Sequence, residues 1–288
     1  MRLRTSLHRL PALARPTPRA DAPLLRRAEA ALLLGVLLLS LLAWWLPAAG
    51  LPQGYHHFAD QRGWLGLPFA ADVLSNLPFA LMGAWGGLQL WRLRRGRLGA
   101  VQRGLAALFF IGLVLTAACS SLYHWAPHDP GLCIDRLGMS LAFAGLLGLA
   151  AADRIGHRAG LALAVFVGVA APLSALLALW AGNMTPWALL QGGGLVLLAV
   201  LAMRRPLPDA LGFSVLAVIA FYAVAKALEL ADAPLFDWTG GVLSGHSAKH
   251  LVAALAAWPV VRALQRRHAH RPAPGRAADP ARAAVTMR

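Results

Sequence analysis

Apolar residues in this chain gather into long unbroken runs instead of the alternating or one-faced patterns of water-soluble strands and helices. Eight runs stand at 29–48, 69–91, 102–125, 132–152, 159–181, 187–203, 209–229 and 245–263. About 20 residues of α-helix rise roughly 30 Å, the thickness of a bilayer's hydrocarbon core, so each run is expected to be a transmembrane helix. Pro78, Pro172 and Pro259 fall inside runs, which bilayer helices accommodate where neighbours or local distortion satisfy the freed carbonyl. The short connections 126–131 and 182–186 imply antiparallel neighbours. The first run follows an arginine-rich segment and also resembles a signal sequence, with Ala48, Ala49 and Gly50 behind it; its length favours an uncleaved span.

Composition agrees with this reading. Of 288 residues 58% are hydrophobic and only 14% charged, too little polar surface to cover a water-soluble globule. Residues 1–28 and 266–288, rich in arginine and proline and without apolar period, read as disordered basic tails. The two cysteines, Cys119 and Cys133, make no CxxC pair and no disulfide framework.

The net charge of +15 would suggest a nucleic-acid partner if it formed one basic face. It does not. All arginines except Arg62 and Arg136 fall on one side of the proposed spans, while Asp60, Asp72, Asp129, Asp135, Glu229, Asp232 and Asp237 lie on or beside the other. Lys and Arg mark the cytoplasmic side, which puts both termini in the cytoplasm. The expected setting is the inner membrane of a bacterium, with anionic lipid as the partner of the basic side and no nucleic acid. The fold class expected is all-α integral membrane: a seven-transmembrane-helix core over 55–265 with one additional N-terminal transmembrane helix at 29–48.

Ionisable groups inside spans are costly unless partnered, so their positions carry most information. Ser120 and His124 stand four apart at the outer end of the third run, on one helical face. Asp135 follows eleven residues after His124, at the outer start of the fourth run, where helix-turn-helix geometry returns it to the same depth. His246 and His250 are again four apart, at the outer start of the last run. Three imidazoles and a carboxylate thus reach one level. Two histidines at i and i+4 plus a third from another helix form the three-ligand set that leaves a fourth tetrahedral position open. Zinc suits such nitrogen donors, with Co, Mn, Fe and Ni open on ligand type.

Plainer readings stand beside this one. Paired histidines can bond neighbouring helices, Ser120 can bond back to its own helix, and Asp135 can cap a helix or pair with Arg136. His56, His57 and His128 read as surface residues. Asp72, Ser75 and Asn76 read as support for ligands or as interhelical bonding, Lys226 with Glu229 as an ion pair, and Lys249 as a side chain reaching for headgroups.

The pattern Ser-x-x-x-His, Asp eleven residues on, and His-x-x-x-His at the start of the last span resembles the alkaline ceramidase family, within the superfamily that includes the adiponectin-type receptors. The resemblance covers about residues 55–265. It implies a zinc ion held by His124, His246 and His250, Asp135 acting on its water, and Ser120 supporting the developing oxyanion. The activity implied is hydrolysis of the amide bond of ceramide or a related N-acyl lipid. Animal members carry an acidic calcium-binding cluster before the first core helix; here only Asp60 and Asp72 are acidic in that stretch, and calcium is not expected. The alternative is a receptor-like or signalling seven-helix protein with a structural zinc site. A histidine-ligated haem carrier needs axial ligands from opposing helices, which an odd set of outer histidines does not suit.

Overall fold

The computed structural model describes residues 26–269. Within them the chain forms α1 (Arg27–Trp45), α2 (Ala70–Leu74), α3 (Leu77–Arg92), α4 (Ala100–Trp125), α5 (Asp129–Arg154), α6 (His157–Ala181), α7 (Thr185–Ala202), α8 (Val215–Leu230), α9 (Asp232–Trp238), α10 (Gly245–Leu255) and α11 (Trp258–Ala269). No strand forms among the described residues beyond one isolated bridge, Trp64 to Leu67. Five helices, α1 and α4 to α7, are long and apolar enough to cross a membrane. That is consistent with a multi-pass membrane protein.

The other three runs differ from simple spans. The run at 69–91 breaks into α2 and α3 because Pro78, in the first turn of α3, has no N–H to give the carbonyl of Leu74. Likewise Pro259 opens α11, so the run at 245–263 becomes α10 and α11. Pro172, by contrast, lies within α6, which continues through it. The run at 209–229 becomes a helix only at Val215. Ahead of it, the buried Asp153 carboxylate accepts from Leu211 N at 2.9 Å and Gly212 N at 2.8 Å, holding that backbone out of a helix.

Most of the expected tails, 1–25 and 270–288, lies outside the described residues. Their inner margins are helical: α1 begins at Arg27, and α11 runs to Ala269, past the boundary expected at 266. At that end Arg267 Nη1 donates to Arg97 O at 3.2 Å, tying α11 to the loop before α4.

Helix α5 is the centre of the bundle, and glycines set its approach to its neighbours. A Cβ on Gly112 of α4 would come within 2.2 Å of Ala142 N, and one on Gly145 of α5 within 2.3 Å of Phe109 N. Small residues let bilayer helices touch backbone to backbone, where dispersion and weak hydrogen bonds replace the hydrophobic drive that lipid cannot supply. Helix α1 is at the opposite extreme, with no buried residue. It packs on α7 through Leu39, which lies 2.5 Å from where a Gly193 Cβ would stand. The stretch behind α1 is pinned to the start of α7, Thr185 Oγ1 donating to Pro47 O at 2.8 Å and Met184 N to Ala49 O at 2.7 Å.

Candidate metal centre

The last turn of α4, the start of α5, the start of α10 and the break between α2 and α3 meet at one end of the bundle. His124 arrives from α4, His246 and His250 from α10, and all three are buried. One nitrogen from each lies within 4.8 Å of the others. His124 Nε2 and His246 Nε2 are 3.3 Å apart. Two nitrogens each about 2.0–2.1 Å from one tetrahedral ion are separated by roughly that distance. The three ring centroids form a near-equilateral triangle, with sides of 4.8, 5.0 and 4.9 Å.

The hydrogen bonds around His250 set its tautomer. Ser75 Oγ lies 2.9 Å from Asp72 O and 2.8 Å from His250 Nδ1. The hydroxyl has one proton, and the carbonyl can only accept, so Ser75 donates to Asp72 O and accepts from His250 Nδ1–H. The Nε2 lone pair is left for a metal, the arrangement in which an outer partner orients a ligand. This contact exists only because the chain breaks after α2, and it gives Asp72 and Ser75 the supporting part expected of them. The Asp72 carboxylate accepts from Ser247 Oγ at 2.6 Å, fastening α2 to the helix that carries two of the ligands.

Asp232, the first residue of α9, fixes the start of α10. Its Oδ1 accepts from His246 N at 2.7 Å and its Oδ2 from Ala59 N at 3.0 Å. The second bond draws in the loop before α2, and Phe58 closes over the cluster with its ring centroid 4.3 Å from that of His246 and 4.7 Å from that of His124. Neither Asp232 nor Phe58 is signalled by sequence spacing. Asp232 lies 14 residues before His246 in an unpatterned connection, and Phe58 is a single aromatic in a loop.

Several expectations change here. Asp135 does not cap its helix, since α5 begins at Asp129 and His128 is the cap, its Nδ1 accepting from Gly131 N at 2.7 Å. No ion pair joins Asp135 to Arg136 among the described residues; Arg136 turns instead to α7, with Nη1 2.9 Å from Met184 Sδ and its guanidinium 5.2 Å from the centre of the Trp187 ring. Ser120 stands beside Asp135. Unlike Thr116 and Ser140, Ser120 makes no bond back to its own helix among the described residues. His56 is not a bare surface residue: it bridges Tyr123 Oη and Asp129 Oδ1, each at 2.9 Å. His57 and His128 are exposed. Lys249 does not reach for headgroups either, for its ammonium donates to Glu229 Oε1 at 2.6 Å, and Lys226 pairs with the same carboxylate.

Buried side-chain atoms without a hydrogen-bond partner at this end of the bundle are His124 Nδ1, Asp72 Oδ2, Asn76 Oδ1 and Asp135 Oδ1. An unpaired buried polar group costs about 1–3 kcal/mol, so such atoms around three convergent imidazoles mark a place where further polar matter belongs. The donor set fits a divalent metal ion. Compared with known proteins, the chain matches no family model and no curated relative.

Proposed function

We propose that the chain is a zinc-dependent intramembrane hydrolase that cleaves the amide bond of ceramide or a related N-acyl lipid. One observation carries the reading: a buried triangle of histidine nitrogens at one end of a membrane bundle, with an unpaired carboxylate oxygen, Asp135 Oδ1, at the same end. His124, His246 and His250 would hold the ion. Zinc bound by neutral imidazoles supplies Lewis acidity and a water acidic enough to act as nucleophile near neutral pH.

The protein's own groups supply the rest. Asp135 takes the proton of the attacking water at its free oxygen and returns it to the leaving amine nitrogen. The Ser120 hydroxyl, uncommitted to its own helix, donates to the oxygen on which charge develops. Phe58 shields the site from bulk water. An apolar cavity of about 150 Å³, lined in part by Phe79, Thr116 and Ala253, lies farther along the same helices and suits an acyl tail over a water-soluble amide. The architecture in this proposal is a seven-helix core, with α2 and α3 as its first span, α10 and α11 as its last, and α1 added in front. The proposed setting is a bacterial inner membrane; the arginine distribution supports cytoplasmic termini and a site near the outer face.

The test combines elemental analysis with fatty-acid release from N-acyl lipids by the purified chain in lipid nanodiscs. The wild type is expected to carry about one zinc per chain and to release fatty acid, Asp135→Asn to keep zinc and lose release, and His250→Ala to lose both. Zinc present without release from any N-acyl lipid would replace this reading with the receptor-like one. Equal metal content in wild type and His250→Ala would end both.

A further inference from the structure

Helix α1 stands off α6, and the crevice between them, floored by α7, has a volume of about 700 Å³. Its walls are apolar almost throughout, Val36 and Leu39 facing Phe166 and Leu190, with Ser40, Ser174 and Arg204 as the polar exceptions. The Ser174 hydroxyl is already spent on Ala171 O at 2.7 Å, and that of Ser40 on Val36 O at 2.9 Å. A cavity with no free polar group inside does not hold ordered water. The lining runs from Ala28 to Ala43 along α1, a rise of about 22 Å, longer than one leaflet's hydrocarbon depth of about 15 Å.

The polar group at its mouth is cationic. Arg204 lines the end where α1 and α6 begin and α7 finishes, and Arg26, Arg27, Arg158 and Arg205 are exposed around it. Against them stands Glu29, whose carboxylate is committed to capping α1 by accepting from Arg26 N at 3.0 Å. A long apolar slot with arginines at one rim matches an acyl chain below and a negative headgroup above.

We propose that the crevice between α1, α6 and α7 is a binding site for an anionic phospholipid of the leaflet on the arginine-rich side, with one acyl chain between the helices and its phosphate at Arg204. The site is separate from the histidine cluster and stands or falls without it. The lipid completes the seat of α1, whose residues are otherwise at most partly buried in protein.

Native mass spectrometry of the full chain, supplied in detergent with phosphatidylglycerol or with phosphatidylcholine of the same acyl chains, tests this. Wild type is expected to retain one phosphatidylglycerol, about fivefold more than phosphatidylcholine, the advantage one arginine gives near an anionic headgroup. Arg204→Gln is expected to erase that preference. Gly35→Trp fills the slot from a position where a Cβ meets nothing within 4 Å, and is expected to abolish retention of both lipids. Ala170→Phe does the same from the α6 wall and serves if the first variant fails to fold, with helix content by circular dichroism as the control. Equal retention of both lipids by the wild type, or undiminished retention in a folded, filled variant, would overturn the proposal.

Discussion

Ser75 Oγ lies 2.8 Å from His250 Nδ1 although 175 residues separate them, and with its hydroxyl proton directed at Asp72 O it accepts from the ring's Nδ1–H. Ser75→Ala removes the acceptor that holds the ring. The expected result is metal affinity lower by about 10–100-fold, the usual cost of losing an outer partner of a ligating histidine. Competition with a chelator of known affinity measures it. Unchanged affinity would mean that the α2–α3 break does not serve the ligand.

Removing metal should also loosen the bundle. A ligand that binds only the folded state at 100 times its dissociation constant adds about 2.7 kcal/mol. Chelation is therefore expected to lower the thermal midpoint of the wild type and to leave that of His246→Ala where it was. Differential scanning in one detergent compares the two.

Ser120→Ala separates catalysis from metal binding. In the proposed mechanism the hydroxyl touches the reaction through a developing charge, so fatty-acid release is expected to fall about 10²–10³-fold with zinc content unchanged. A parallel loss of zinc would show that Ser120 supports the site's structure instead.

Asp232→Ala releases two backbone donors at once, His246 N and Ala59 N. Loss of a cap of this kind costs about 1 kcal/mol, and the freed loop should also let Phe58 swing off the cluster. The expectation is a lower thermal midpoint together with faster hydrogen exchange at Phe58 and its neighbours, both partly restored in Asp232→Asn, whose amide oxygen still accepts.

Asp60 supplies a pH dependence outside the spans. The Arg62 guanidinium hydrogen-bonded to it, at 2.7 Å, holds its carboxyl below the usual carboxylate range despite burial. The folded state thus favours the charged form. Its stabilisation is complete above about pH 4, the ordinary value of an unfolded aspartate, and disappears as pH falls through the lower folded value. Asp60→Asn is expected to flatten the acid limb of a stability-against-pH curve below about pH 4 and to change its slope little above about pH 5.

What could be known from the chain alone was what one helix determines by itself. The lengths of the apolar runs foretold helices able to cross a bilayer, and the spacing of four placed His246 with His250, and Ser120 with His124, because 3.6 residues per turn is a local property. The same spacing was silent on partners distant in sequence. That His124 points at α10, that Ser75 meets His250 across a broken helix, that Asp232 and Phe58 close the cluster, and that Lys249 chooses Glu229 all depend on how several helices pack together. Glycines such as Gly112 and Gly145 set that packing through backbone contact, and the hydrophobic pattern does not register it. The prolines show the division most plainly: Pro78, Pro172 and Pro259 look alike along the chain, yet two of them begin new helices and the third sits inside one, because only the surrounding bundle decides whether a freed carbonyl can be satisfied.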